Sequence, residues 1–130
     1  MNTEATDVQS LPNGGLDYYL AGVVEFEKGN LDLALSNLSK SIELESHFKT
    51  YQKMSEALER MKNDAKSFEA LETAYNLNPV NDNLAYNYAR KLLQKKELDK
   101  CRIILHNIIS RNSTYLPAKK LLEAVDNALI

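Results

Sequence analysis

With 130 residues, 44% of them hydrophobic and 26% charged, the chain has room for one domain or a short repeat array and nothing larger. A mean hydropathy of −0.42 and the lack of a long apolar run exclude a membrane-spanning helix. Met1–Asp7 has neither the basic start nor the apolar stretch of a secretion signal, so a cytoplasmic location is expected. The formal net charge of −2 conceals an uneven distribution: −6 over residues 1–48, −1 over 49–82 and +5 over 83–130. In an elongated molecule this makes an acidic and a basic end, which would steer a partner or favour head-to-tail self-association; the plain alternative is segregated surface charge.

In chain order, residues 1–14 are polar, carry Pro12 and Asn13-Gly14 and show no apolar period, so they read as a flexible tail. From there apolar residues recur at helical spacing. Helices are predicted at about 16–28, 31–45, 48–61, 64–77, 82–95, 98–111 and 115–129. Gly29-Asn30 ends the first, with Asn30 as a cap for the second, and Asn63 and Glu97 hold the equivalent turns. Pro79 closes the fourth helix, because proline cannot donate to continue it, and Asn81 or Asp82 opens the fifth. Ser113-Thr114 and Pro117 open a seventh helix, expected to cover the apolar face of the helices before it.

A repeat underlies this order. The segments starting at Gly29, Lys62 and Lys96 align without gaps at offsets of 33 and 34 residues. In that register Gly22, Ser55 and Ala89 coincide, as do Ala34, Ser67 and Cys101, and Leu38, Leu71 and Leu105. Small residues meet where two helix backbones approach and leucines fill the space beside them, so each unit reads as an antiparallel helical hairpin. Period, small-residue pattern and Asn78-Pro79 together resemble the tetratricopeptide repeat (TPR), over about residues 15–115. Ser46 and Ser113 stand where that family often has proline, and Ile108 where it often has alanine.

The resemblance implies an all-α fold: a right-handed superhelix of three hairpins (15–47, 48–81 and 82–115) with a capping helix over 116–130. It further implies a concave groove, lined by the first helix of each hairpin, that holds a peptide or helix of a partner. Carried onto this chain, the groove positions are Tyr19, Val23 and Phe26, then Gln52, Lys53, Glu56 and Arg60, then Asn83, Tyr86, Asn87 and Arg90. Tyrosine and arginine combine contact area with a polar handle, and asparagine satisfies both N–H and C=O of a peptide backbone. One TPR subgroup grips the acidic tails of Hsp70 and Hsp90 with two lysines, two asparagines and an arginine. This chain has Tyr19, Val23, Lys53, Asn83 and Asn87 there, so that carboxylate clamp is not expected. A plan of three repeats and a closing helix is also similar to the TPR chaperones of type III secretion.

No chemistry is legible beside this. His47 and His106 have no partner at metal-ligand spacing, and none of the four glycines leads from a strand into a helix, so neither metal nor nucleotide cofactor is expected. Cys101, the only cysteine, sits in an apolar helical stretch and reads as a buried structural thiol rather than a nucleophile. The basic run from Arg90 to Arg102 lacks any nucleic-acid motif and reads as a solvated face. The expectation is a non-catalytic protein-interaction module, monomeric or weakly self-associating, without nucleic-acid or membrane partners; a head-to-tail scaffold is the alternative.

Overall fold

A computed structural model describes residues 14–128; the expected N-terminal tail lies outside them, apart from Gly14. It contains seven helices: α1 Gly15–Glu27, α2 Leu31–Leu44, α3 Phe48–Arg60, α4 Asp64–Leu77, α5 Asp82–Gln94, α6 Leu98–Arg111 and α7 Leu116–Ala128. Among the described residues there is no strand. The sequence-based boundaries hold to within a residue or two, the range over which helix ends fray.

The chain divides into two compact units at Ala74/Tyr75, inside α4. In the first unit α1 packs on α2 and α2 on α3. Phe26, Ala34 and Ala57 form its buried cluster, with Leu31 and Leu35 packed against them. In the second unit α5, α6 and α7 pack on one another. Leu84, Leu92, Leu105, Ile108, Ala118 and Val125 are fully buried there. The seventh helix therefore covers the last hairpin, as a terminal element of a repeat array must.

Each hairpin closes at the pair of small residues that the register brought together. A Cβ on Gly22 would stand 2.7 Å from Leu38 Cγ and 3.2 Å from the Ala34 carbonyl, so only hydrogen fits at the α1–α2 crossing. At the α3–α4 crossing Ser55 Oγ donates to the Ser67 carbonyl and Ser67 Oγ to the Ser55 carbonyl, both at 2.8 Å. In the last hairpin Cys101 Sγ donates to the Ala89 carbonyl at 3.2 Å. Three chemistries thus satisfy one geometric demand, a close backbone approach with no buried polar group left over.

The tight turns inside the hairpins share one geometry as well. Gly29, Lys62 and Lys96 have φ of 84°, 64° and 63°. Their amides donate to Phe26, Glu59 and Leu93, and the next amides (Asn30, Asn63, Glu97) donate to Glu25, Leu58 and Leu92. This is the Schellman arrangement, in which a left-handed residue ends the helix and satisfies its last carbonyls. Glycine meets that demand without strain; the two lysines do not. Asn30 does not cap α2 through its side chain. Its amide donates instead to Glu25 Oε2, 3.3 Å away. Asn63 Oδ1 does accept from the Lys66 amide at 3.3 Å, and Asn81 Oδ1 accepts from the Leu84 amide at 3.0 Å.

Candidate functional site

The groove positions of the first unit lie on α1 and α3. Tyr19, Gln52, Lys53 and Glu56, together with Lys49, line one shallow depression of about 270 Å³. Four of the expected residues are thus brought together, with Val23 half-buried on the same helix as Tyr19. Phe26, placed on the groove by the resemblance, is instead core, with 6% of its surface exposed. Its ring forms a floor beneath two cations: Lys53 Nζ stands 4.6 Å and the Arg60 guanidinium 4.1 Å from the ring centre. Lys53 also pairs with Glu56 at 2.8 Å, one helical turn on. Lys53 is thereby held by a ring and a carboxylate, and presents a fixed donor rather than a free charge.

Tyr19 and Lys49 are shared with a larger cleft of about 660 Å³, whose apolar walls are Leu16, Tyr19 and Phe48 and whose polar rim includes Glu45, His47 and Lys49. Two contacts set its shape. Ser41 Oγ donates to the Gly15 carbonyl at 2.6 Å. A Cβ on Gly15 would meet Glu45 Cβ at 2.8 Å, so glycine lets the start of α1 lie against the end of α2. Across the cleft His47 caps α3: its Nδ1 accepts from the Lys49 amide at 3.1 Å, and its ring stacks on Phe48 with centroids 4.8 Å apart. Leu16, His47, Phe48 and Lys49 were not expected at the site. The 33-residue offset does reveal the first, since Leu16 and Leu20 take the places of Lys49 and Lys53 and make the α1 side of the groove apolar.

The second unit holds Asn83, Tyr86, Asn87 and Arg90 on α5. Tyr86 meets Tyr115 edge to face, 6.1 Å between centroids, and the Arg90 guanidinium lies 5.9 Å from the Tyr86 ring centre. Tyr115, also unforeseen, has its phenol pKa pushed up by burial, then by the neighbouring Asp82 carboxylate and by Tyr86. Asp82 is fixed in turn by Arg111, whose Nε and Nη2 donate to Oδ1 at 3.1 and 2.9 Å, and by Asn112 Nδ2 at 3.3 Å from Oδ2. Tyr88 packs as a core residue against Tyr75, at 4.8 Å.

The described residues contain no group of three or more His, Cys, Asp or Glu that could hold a metal, and no helix long and apolar enough to cross a membrane. Cys101 is buried, its thiol pKa raised by desolvation, while His106 on the same helix is exposed. A buried, protonated thiol facing a backbone carbonyl is no nucleophile at neutral pH.

No protein-family model and no curated protein matches the sequence. Solved structures do match. The first TPR domain of Spaghetti (RPAP3), bound to an HSP90 peptide SRMEEVD, is 16% identical at a TM-score of 0.74, covering 92% of this chain and 95% of that one. MamA is 18% identical at 0.76, covering 95% and 73%. The Yersinia enterocolitica type III secretion chaperone SycD, in complex with a peptide of the translocator YopD, is 13% identical at 0.71, covering 87% and 92%. With these likenesses, the 33- and 34-residue register, the small-residue crossings and the covering helix, the chain has the tetratricopeptide-repeat fold, as three helical hairpins and a seventh helix.

Proposed function

We propose that the chain is a non-catalytic protein-interaction module that takes a peptide or helix of a partner on the faces of its first helices, through Tyr19, Val23, Gln52, Lys53, Glu56, Asn83, Tyr86, Asn87 and Arg90. The observation that carries the reading is the pair of adjoining depressions between α1 and α3, joined by Tyr19 and Lys49. One wall is apolar (Leu16, Tyr19, Phe48) and the other offers the Gln52 amide beside the mutually paired Lys53 ammonium and Glu56 carboxylate. A concave, mostly apolar site with a few fixed polar groups is the usual form of a peptide-binding surface.

The composition also argues for what is bound. Leu16, Leu20 and Val23 stand on α1 without a basic residue, and of the two lysines that line the depressions, Lys49 and Lys53, the second is already paired with Glu56. A ligand that buries an aliphatic or aromatic side chain suits this surface better than a polyacidic tail, which needs several unpaired cations. Two titrations test the reading. A peptide-library selection on the full chain should return sequences centred on a large apolar residue, binding at least tenfold more weakly to Tyr19→Ala/Gln52→Ala. Fluorescent SRMEEVD, the peptide held by the first RPAP3 domain, should not bind measurably. Selected peptides that bind the variant unchanged would remove the site, and tight SRMEEVD binding would restore a carboxylate clamp.

A further inference from the structure

The groove line of α3 runs on past the shallow depression. Lys49, Lys53, Glu56 and Arg60 are spaced by four, three and four residues, so they stand along one face of the helix. The first three line the depression. Arg60, the last residue of α3, is exposed and continues the row. Its counterparts 33 residues before and 34 after are Glu27 and Gln94, so only this hairpin carries a cation at that place.

Arg60 differs from the other cations of the row in how it is held. Its guanidinium carbon lies 4.1 Å from the centre of the Phe26 ring, which is 6% exposed and fixed in the core. A guanidinium stacked on an aromatic face keeps its N–H donors in its own plane, clear of the ring, and loses little further freedom when they bind. Lys53 is paired with Glu56 at 2.8 Å. Lys49 is an exposed point charge on a four-carbon stem. Among the described residues no carboxylate pairs with Arg60. Glu25 is engaged by Asn30 at 3.3 Å and by Lys28 at 3.9 Å, Glu56 by Lys53, and Glu59 has an interaction of its own. Glu27 is exposed, where solvent and salt weaken its repulsion of an incoming anion.

We infer that Arg60 anchors one carboxylate of the bound peptide, an aspartate or glutamate side chain set at a fixed distance from the apolar residue in the larger cleft. This rests on the groove reading above and adds a second specificity determinant to it; Arg60 is none of the positions that the carboxylate clamp uses. The spacing follows from helix geometry. Arg60 stands eleven residues after Lys49, which both depressions share, or about 16 Å at a helical rise of about 1.5 Å per residue. An extended peptide covers that length in about five residues. The Gln52 amide between the two suits an extended ligand, whose backbone N–H and C=O groups need partners, better than a helix, whose backbone is already paired. The ligand is therefore an extended peptide with a large apolar residue and a single acidic residue about five positions apart.

Selection from a library of random linear peptides, run on the full wild-type chain and on Arg60→Gln, tests this. Both pools should centre on a large apolar residue, and only the wild-type pool should be enriched in aspartate or glutamate about five positions to one side of it. In the most enriched wild-type peptide, replacing that acid by its amide should weaken binding about tenfold to the wild-type chain and no more than about twofold to Arg60→Gln. Arg60→Lys, which keeps the charge and loses the planar fork, should recover little of the difference. Circular dichroism should show both variants folded as the wild type, because Arg60 is exposed. An apolar anchor without acidic enrichment overturns the inference and leaves the groove reading standing, whereas pools without an apolar anchor remove both. Acidic enrichment that survives Arg60→Gln also overturns it, and its disappearance in Lys49→Gln would assign the carboxylate to Lys49.

Discussion

Gly22 offers the sharpest test of how the hairpins are held. An alanine Cβ there would lie 2.7 Å from Leu38 Cγ, 2.8 Å from Leu38 Cδ2 and 3.2 Å from the Ala34 carbonyl. Leu38 is fully buried and cannot swing into solvent, and a helix carbonyl cannot move without its hydrogen bond. Two effects oppose each other. In a mid-helix position alanine is favoured over glycine by about 1 kcal/mol. Overpacking of a well-filled crossing costs about 1–3 kcal/mol, and the 2.7 Å approach places this case in the upper part of that range. Gly22→Ala should therefore be net destabilising by about 1–2 kcal/mol, a fall in Tm of about 4–8 °C for a chain of this size. Leu38→Ala alone should cost about 2–5 kcal/mol, but in the Gly22→Ala background it also relieves the clash, so the two changes should couple by about 1–2 kcal/mol. Urea and thermal unfolding followed by circular dichroism on the four proteins would give the cycle. A stabilised Gly22→Ala chain with zero coupling would refute the close crossing, and with it the assigned register.

Three further expectations concern turns, caps and the buried thiol. Lys62→Gly and Lys96→Gly relieve left-handed backbone at φ of 64° and 63° and should each stabilise by up to about 1 kcal/mol, whereas Gly29→Ala should destabilise; both read out as urea midpoints. His47→Ala removes the Nδ1 acceptor that caps α3 and should cost about 0.5–2 kcal/mol, with His47→Asn recovering most of it in the same assay. The Cys101 thiol pKa lies above its ordinary value in the folded chain because of burial. For a group raised on folding, its contribution is intact below the unfolded pKa and is lost as pH rises through the folded one. Stability should therefore fall in the alkaline range, less steeply in Cys101→Ser, and reaction of Cys101 with a thiol reagent at neutral pH should await denaturant.

The architecture was legible because it rests on local pattern. Helical spacing marks seven helices, and the offsets of 33 and 34 residues align Gly22 with Ser55 and Ala89 from the sequence alone. The repeated turn was legible at Gly29, where glycine marks a positive φ, and hidden at Lys62 and Lys96, where the hairpin geometry forces that conformation on a residue that does not advertise it. Phe26 was misplaced because a helical wheel tells direction and not depth: α3 packs close enough to bury a ring that the groove register turned outwards. Phe48 and Tyr115 are hidden for another reason: each gains its role from a neighbour outside its own helical period, the His47 cap and the Asp82 carboxylate.

The central claim is that the first helices carry the partner-binding face, and nuclear magnetic resonance tests it most directly. Amide shifts of the labelled full chain would be followed during titration with a peptide selected on it. Progressive shifts at Tyr19, Gln52, Lys53 and Glu56, with Asn83, Tyr86 and Asn87 following if one ligand spans both sets, are the expected result. Shifts confined to the second helices, around Ser36 to Lys40, Glu69 to Thr73 and Ile103 to Asn107, with the first helices silent, would contradict it.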